Sequence, residues 1–477
     1  MEIQVVNREE EILDPNMPIV DKIGRMARVC YRNDVKEGQD EHAVNVRIIG
    51  NCIQSGHESI LEHGVISLVI DDKENEDSKR FAQYTTENVP VPFYRLWMSR
   101  GTDSMSKYME KFMDIDIYTK FCDRIGKNDQ KRLTEVLAAD VRAWRKIINE
   151  KIYIASQEGD LLTLILLVKV IKELSAVDKG EILFKDQIAC VNEMLGNEQI
   201  RKGMLLGEDI HRELKEFNVN TVADYYFKCP ETVFAAQSAP NASLSVILTT
   251  ERAFTHQHVR HRKNVAYSQE SQRYVNYDKK GYRVIPLTVE SSKYPSDFIE
   301  DYNLGVVRST SNAYLEWKKA MEDAFQHYHN LLHIYEDETG HTDLRLPPET
   351  CRGVLPNDTA TRLGVTWFNQ ASFINFVYWR LESHAQYAIR ATVARIIVKG
   401  LMMQHPFFET INYALVIKWL EMIKEQKLFE ESDHEIVGKI TSFTVDVLIA
   451  GRKKLQAILK QEIDKMKSAS EPKIITP

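Results

Sequence analysis

The pattern of apolar and polar positions in the first half predicts two strands and several helices. "EIQVV" and "HGVISLVIDD" have the short apolar runs of strands, whereas "VDKIGRMARVCY" and "HAVNVRIIGNCIQSGH" have helical spacing. The stretch "LTEVLAADVRAWRKIINEKIYIAS" predicts a further long helix. The most apolar run, "LLTLILLVKV", is broken by Lys169 and is far shorter than the roughly 20 residues of a membrane span, so it predicts a buried helix.

The second half repeats this order of a strand followed by helices. "SLSVILTTE" predicts a strand, and "RAFTHQHVRHR" and "NAYLEWKKAMEDAFQHYHNLLHIYED" predict helices. A long helical run is expected from about Asn369 to Met403. At 3.6 residues per turn, one stripe of this helix carries Asn369, Phe373, Phe376, Arg380, His384 and Tyr387. Arg380 would then face the core, where its charge needs a partner: a structural ion pair or a bound anion or polar ring.

Composition and charge limit the class of protein. The chain has 477 residues, a net charge of -7 and 43% hydrophobic residues, which is typical of a globular protein with two or three domains. The acidic balance argues against general nucleic-acid binding. The six cysteines are scattered without a CxxC pair, so no metal site is predicted and a reducing cytoplasm is expected. The acidic start "MEIQVVNREEEILD" shows no secretory signal.

A basic and polar cluster, "QHVRHRKNVAYSQESQRYVNY", stands out in this acidic chain. The guanidinium groups of Arg260, Arg262 and Arg273 suit phosphate, although a solvated basic loop is the simpler interpretation. "GHESILEHG" places His57 and Glu62 about one turn apart, which fits either a polar helix end or a site. The common enzyme motifs GxSxG, HExxH and a Gly-rich phosphate loop are absent from the sequence.

Four motifs together resemble one family, the flavin-dependent thymidylate synthases (ThyX proteins). The tract RHR followed by "SQESQRY" (268–274) resembles the central signature RHRxxSxNExSxRY and its variant ending SQQSQRY. "GHESILEH" is similar to GHxSxxEH, "CRGVLP" to ARxVLP, and "NQASFINFVYWRLESHAQYAIR" to NxRSLxxFLxLRxxxHAQxEIR. The four lie in the family's order along the chain.

The sequence departs from the family pattern in places. One extra residue follows Arg262, and Ala266, Ala371 and Ala388 replace a serine, an arginine and a glutamate of the motifs. The chain is also about twice the family's length, and His57 lies about 200 residues before Arg260. The resemblance therefore suggests a tandem duplication with complementary loss, in which residues 1–215 keep GHESILEH and residues 216–477 keep the other motifs. Two such chains would form a homodimer that acts as a pseudo-tetramer.

The resemblance implies an α/β (α+β mixed) fold with two ThyX-like halves, each a small mixed sheet flanked by long helices. It implies reductive methylation of dUMP to dTMP with methylenetetrahydrofolate, FAD and NADPH, without a membrane or a nucleic acid. The implied catalytic residues are Arg380, Arg273, Ser271 and His57. The implied substrate-binding residues are Gln257, Gln269, Glu270, Ser271, Gln272, Arg273, Arg352 and Arg380. The implied cofactor-binding residues are Ser59, Glu62, Arg260, His261, Arg262, Ser268, Gln269, Asn369, Asn375 and His384.

Two other functions remain open at the level of the sequence. A related flavin enzyme could modify C5 of a pyrimidine nucleotide differently, for instance by hydroxymethylation. Alternatively, the chain could be a degenerate relative that binds a nucleotide without catalysis, which the replacements at Ala266 and Ala371 favour.

Overall fold

The computed structural model describes residues 2–71, 134–158, 161–177, 180–196, 232–235, 243–262, 264–340, 345–368, 370–409, 411 and 413–429. The strands are β1 (Gln4–Val5), β2 (Glu9–Ile12), β3 (Val65–Asp71), β4 (Thr134–Asp140), β5 (Thr232–Ala235), β6 (Leu244–Glu251), β7 (Val265–Gln269), β8 (Arg283–Val284), β9 (Ile299–Asp301), β10 (Val306–Val307) and β11 (Ala360–Trp367). The helices are α1 (Ile19–Tyr31), α2 (Glu41–Gln54), α3 (Val141–Glu158), α4 (Leu161–Ala176), α5 (Glu181–Gly196), α6 (Arg252–His258), α7 (Tyr277–Lys280), α8 (Asn312–Thr339), α9 (Pro348–Cys351), α10 (Gln370–Arg380), α11 (Tyr387–Met402), α12 (Pro406–Glu409) and α13 (Tyr413–Glu425). Short 3₁₀ helices span Glu58–His63, Ser291–Lys293 and Arg352–Val354.

Two antiparallel sheets organise these elements. The larger sheet has the order β2-β6-β11-β7, and β6 pairs with β11 along its whole length. The smaller sheet has the order β4-β3-β5. Both sheets are small and long helices accompany them, so the mixed α/β fold class expected from the sequence is confirmed.

The beginning of the chain is built into the larger sheet. Strand β2 forms the edge beside β6, and buried Arg8 donates to both carboxylate oxygens of Glu251 at 2.8 and 2.9 Å. Glu10 on β2 accepts from Arg395 of α11 at 2.7 Å. Residues more than 200 positions apart thus share one sheet. The predicted domain boundary between residues 215 and 216 lies outside the described residues, so the two-half organisation stays a prediction.

A core of large apolar side chains lies under this sheet. Trp367 at the end of β11 packs against Phe373 and Phe376 of α10, with ring centroids 5.2 Å apart in both pairs. All three side chains are buried. Burying one such ring contributes about 1.5–3 kcal/mol, so α10 is held firmly against the sheet.

One predicted helix is wrong at its start, because residues 134–140 form strand β4. This strand pairs with β3 from Thr134↔Asp71 to Asp140↔Val65. The pairing overrides the helix preference of its leucine and alanines. Asp140 then ends the strand and caps α3, since its side chain accepts from the backbone N–H of Ala143 at 2.6 Å.

The predicted helix from Asn369 to Met403 is also wrong, because it is two helices. Helix α10 ends at Arg380 and α11 begins at Tyr387. Between them, Ala385 N–H donates to the carbonyl of Glu382 in a turn. The single predicted stripe therefore stops at Arg380, and His384 lies in the connection.

The other predicted elements are confirmed with small shifts at their ends, except that α6 ends at His258, well before the predicted end at Arg262. They are the strands β1, β3 and β6 and the helices α1, α2, α4, α6 and α8. Among the described residues, no helix combines the length and apolar character that a membrane span requires.

Candidate active site

A cavity of about 570 Å³ lies between the end of α6 and the end of α10. Its walls are Gln257, Arg260, His261, Arg262, Asn375, Trp379, Arg380, His384, Ala385 and Gln386. Seven of these ten are residues that the motifs predicted for catalysis or binding. Separate parts of the sequence, the RHR tract and the end of α10, therefore meet at one cavity.

Arg380 is the best-anchored cation of this cavity. Its Nε donates to Nε2 of His261 at 2.7 Å, and its Nη2 donates to the backbone carbonyl of Gln257 at 3.1 Å. Burial lowers the pKa of Arg380, although the nearby Tyr267 opposes this. Since the charge of a guanidinium persists in proteins, Arg380 presents a fixed positive charge to the cavity.

His261 is a neutral imidazole at pH 7. Burial first, and then the charge of Arg380, lower the pKa of His261 to about 4. Because Nε2 accepts from Arg380, the hydrogen-bond pattern assigns the remaining proton to Nδ1. The ring is packed edge-on against Phe376 at a centroid distance of 5.1 Å. His261 can thus donate one hydrogen bond to a ligand without adding charge.

Tyr267 of β7 supports the turn that carries the RHR tract. The Tyr267 hydroxyl donates to the backbone carbonyl of His261 at 2.6 Å and lies 3.1 Å from that of His258. Helix α6 ends at His258, so Arg260 and Arg262 lie beyond the helix and are exposed. Their guanidinium groups therefore reach solvent at the rim, where they can meet phosphate.

The end of the central motif forms a second cluster with the beginning of the chain. Ser271 N–H donates to the carbonyl of Cys30 at 2.9 Å. The ring of Tyr274 lies 6.2 Å from that of Tyr31, whose hydroxyl is 3.3 Å from Nδ1 of His57. The GHESILEH motif thus lies near the SQESQRY motif, with Tyr31 between His57 and Tyr274.

Arg273 and Arg352 do not line the Arg380 cavity, although the resemblance implied that all three arginines bind the substrate. Arg273 pairs with Glu349 at 3.0 Å, with both side chains about half exposed. Arg352 is exposed in the short helix that follows α9. The ion pair with Glu349 thus holds Arg273 at the surface of this chain, and Arg352 is exposed there as well.

Two residues of the central motif, Ser268 and Glu270, are buried, and Gln269 between them is partly buried. Ser268 is 2.9 Å from Nε2 of His63, and Gln269 donates to the hydroxyl of Thr255 at 2.6 Å. Glu270 is fully buried, and burial raises its pKa although Arg32 and Arg283 oppose this. The side chains of Ser268 and Gln269 thus contact other residues of the protein and do not line the Arg380 cavity.

His63 is the residue that motif reasoning overlooked, although it stands in the quoted GHESILEH. It is fully buried, and its Nδ1 lies 2.8 Å from the Thr366 hydroxyl while Nε2 faces Ser268. Thr366 continues the chain of hydrogen bonds to Ser245 at 2.9 Å. The motif's second histidine therefore joins the start of the chain to the larger sheet.

The remaining predicted residues have the following positions. Glu62 pairs with Arg142 at 2.6 Å, and Ser59 is exposed. Gln272 is partly buried in the turn after β7. Asn369 lies outside the described residues. Trp379, Ala385 and Gln386 line the cavity without having been predicted, although Gln386 belongs to the quoted HAQ motif.

Known proteins are similar to this chain over only part of its length. A search of curated proteins gave no match. A UMP/dUMP methylase PolB from Streptomyces cacaoi with 5-Br dUMP is 18% identical, with a TM-score of 0.26, over 46% of this chain and 87% of that chain. The same methylase with 5-Br UMP is 21% identical, with a TM-score of 0.25, over 35% and 73%. At these TM-scores, neither structure carries a conclusion about this chain.

A match to a protein family is more informative than these structures. Residues 239–406 match the model of the Thy1 family, described as thymidylate synthase complementing protein. The matched segment includes the RHR tract, the SQESQRY motif, the CRGVLP motif and the helix that ends at Arg380. The family whose model matches residues 239–406 is thus the flavin-dependent thymidylate synthase family that the motifs of this chain resemble.

Proposed function

We propose that this chain methylates C5 of dUMP to form dTMP, with methylenetetrahydrofolate as carbon donor, FAD as cofactor and NADPH as reductant. The family match over residues 239–406 supports a nucleotide methyltransferase that depends on flavin. The observation that carries the proposal is the anchored Arg380 in a cavity rimmed by further cations. That arrangement fits a ligand with phosphates and a polar ring.

The residues around the cavity have the donor chemistry that FAD requires. Arg260 and Arg262 offer guanidinium forks for phosphate, and the exposed ring of Trp379 offers a face for stacking. Asn375 and His384 add further polar groups. When bound, the flavin supplies the hydride, and the protein supplies binding and electrostatics.

Arg380 is proposed to act on the uracil ring. Negative charge develops on the ring oxygen as hydride attacks, and a preorganised cation stabilises that charge more than the ground state. Its two contacts, to His261 and to the Gln257 carbonyl, fix the guanidinium before the substrate arrives. His261 is proposed to donate Nδ1–H to the flavin without repelling Arg380, since its ring is neutral.

Arg273 and Arg352 are proposed to hold the nucleotide phosphate in a site completed by a second copy of the chain. Within one chain they are exposed and do not line the Arg380 cavity. A homodimer could place them beside the cavity of the other copy, because a twofold axis pairs each surface with its equivalent. His57, which reaches the same cluster through Tyr31, is proposed to face the flavin and the folate.

The experiment that tests the function is a product assay on the purified chain. The chain is incubated with dUMP, methylenetetrahydrofolate, FAD and NADPH, and products are identified by mass spectrometry. We expect dTMP, and Arg380→Ala should lower kcat about 100- to 1000-fold, because it removes a donor aimed at developing charge. Arg25→Ala, which removes a surface arginine paired with Glu11, is the matched control and should leave kcat unchanged.

Other outcomes distinguish the competing functions. A product heavier than dTMP by one oxygen would replace the proposal with hydroxymethylation. A colourless protein that cannot be loaded with FAD and forms no product would show a degenerate nucleotide-binding relative. Normal turnover by Arg380→Ala would remove Arg380 from the mechanism while leaving the activity established.

A further inference from the structure

Two helices outside the cavity bring together an aspartate and two histidines. Asp278 lies on α7, and His329 and His333 lie on α8. Nδ1 of His329 is 2.7 Å from Oδ1 of Asp278, and Nε2 of His333 is 3.2 Å from Oδ2. The three ligand atoms lie within 4.8 Å of one another. Imidazole and carboxylate groups that converge in this way are the ligands of zinc-type metal ions.

The fold holds these three side chains in place. His329 and His333 are four residues apart, so they share one face of α8, with ring centroids 4.6 Å apart. Tyr277 beside Asp278 packs against Tyr328 beside His329, at a centroid distance of 6.0 Å. This contact fixes α7 against α8, so the cluster does not depend on flexible surface side chains alone.

Asp278 is oriented by a further contact. The hydroxyl of Tyr282 donates to Oδ1 of Asp278 at 2.7 Å. Oδ1 therefore has an established donor, whereas Oδ2 faces His333. A carboxylate held in this way can offer one oxygen to a metal ion while the other keeps its hydrogen bond.

We propose that Asp278, His329 and His333 bind one divalent metal ion of the zinc type, with a fourth position open to water. Tetrahedral zinc with bonds of about 2.0–2.1 Å separates its ligand atoms by roughly 3.3 Å. Both imidazoles are directed at the carboxylate of Asp278, His329 at Oδ1 (2.7 Å) and His333 at Oδ2 (3.2 Å), and the three ligand atoms lie within 4.8 Å of one another, so small side-chain movements bring them to that separation. The site is independent of the proposed methylation, so either could fail alone.

A supporting contact behind His333 is typical of metal-binding histidines. Nδ1 of His333, the nitrogen that faces away from Asp278, is 3.0 Å from Oε2 of Glu336. Arg345 in turn contacts the same oxygen at 3.3 Å. A carboxylate that accepts from the second ring nitrogen fixes the tautomer and raises the basicity of the coordinating nitrogen. Glu336 is thus a positioning residue of the proposed site.

The test measures metal binding by untagged full-length protein that has been stripped with a chelator. Co²⁺ is added and the visible bands of tetrahedral cobalt are recorded, and Zn²⁺ affinity is measured by competition with a coloured chelator. We expect one equivalent to bind. Glu336→Gln should weaken Zn²⁺ binding about 10- to 100-fold, and His329→Ala should weaken it by more than about 100-fold, because it removes a ligand rather than a support.

His327→Ala is the matched control, since His327 lies on the same helix and is exposed. It should bind Zn²⁺ as the unchanged chain does. Circular dichroism of each variant checks that α8 is intact, and partly exposed His329 should tolerate its replacement. Failure of the unchanged chain to bind Zn²⁺ would overturn the proposal. So would Zn²⁺ binding by His329→Ala and His333→Ala that is as tight as binding by the unchanged chain. The cluster would then be a hydrogen-bonded group only.

Discussion

Lowering the pH should destabilise the protein through buried His63. This ring is fully buried between Thr366 and Ser268, and burial, followed by the charge of Lys22, lowers its pKa to about 3. In the unfolded chain the same group titrates near 6.5. Protons therefore bind the unfolded chain first as the pH falls.

The sign and size of the effect follow from this difference. Above about pH 6.5 both states of His63 are neutral, so its contribution to stability is fully present there. Between pH 6.5 and 3 the contribution is lost at about 1.4 kcal/mol per unit. At pH 5.5 the loss is thus about 1.4 kcal/mol for His63. His258, with its pKa also lowered to about 3 by burial, adds a loss of similar size.

The variant His63→Gln isolates the contribution of His63 to the pH dependence of the unfolding free energy. Its amide can still meet Ser268, but it cannot titrate. We expect the difference in unfolding free energy between the unchanged chain and His63→Gln to shrink by about 1.4 kcal/mol from pH 7.5 to pH 5.5. Urea unfolding followed by tryptophan fluorescence measures both values, and groups common to the two proteins cancel in the difference.

His327→Gln is the control, because this histidine is exposed on α8 rather than buried. Exchange of the histidine C2 hydrogens, read by mass spectrometry, gives the pKa of His63 directly. A difference between the unchanged chain and His63→Gln that stays constant with pH, or a His63 midpoint near 6.5, would refute the reasoning. Either result would mean that the ring reaches water in the folded protein.

Three further changes probe how the start of the chain joins the rest. Arg8→Met leaves Glu251 buried without its partner and should cost about 3–5 kcal/mol in urea unfolding, and adding Glu251→Gln should recover part of this. Gly24→Ala should cost about 1–3 kcal/mol, because a Cβ there would lie 2.3 Å from that of Asn45. A fragment of residues 216–477 should fail to fold alone and should be rescued by residues 1–71 supplied separately. A soluble fragment of residues 216–477 that unfolds cooperatively on its own would contradict that expectation.

The sequence predicted the elements whose pattern is local and missed those that depend on pairing. The helix α8 and the strand β6 follow from spacing alone. Strand β11 was not predicted, since "ATRLGVTW" mixes polar and apolar residues and is specified by its neighbours β6 and β7 on either side. Strand β4 was taken for a helix for the same reason. Only the N-capping Asp140 marked the change from strand to helix.

The candidate site was predictable as a set of residues but not as an arrangement. Arg380 and His384 were expected to meet because they are four apart on one helix, yet the helix ends at Arg380. They line the same cavity because the chain turns there, and spacing could not reveal that turn. Likewise, the SQESQRY motif gave no sign that Ser268 and Glu270 would be buried, with Gln269 between them partly buried, at the end of a strand that pairs with β11 and contacts α1.

The first 63 residues make buried polar contacts with residues after position 240, and these contacts bear on the hypothesis of a tandem duplication. Arg8 binds Glu251, Glu10 binds Arg395, and His63 binds Ser268, so three buried polar links tie this segment to the later half. A charge or ring buried in this way loses its partner if the segments separate, which is costly. Strand β2 pairs with β6, which lies after residue 215. If residues 1–215 were a duplicated domain, its first strand would therefore have had to move into the sheet of the second copy. The GHESILEH motif is therefore folded against the later part of the same chain, where the hydroxyl of Tyr31 lies 3.3 Å from Nδ1 of His57 and the ring of Tyr31 lies 6.2 Å from that of Tyr274.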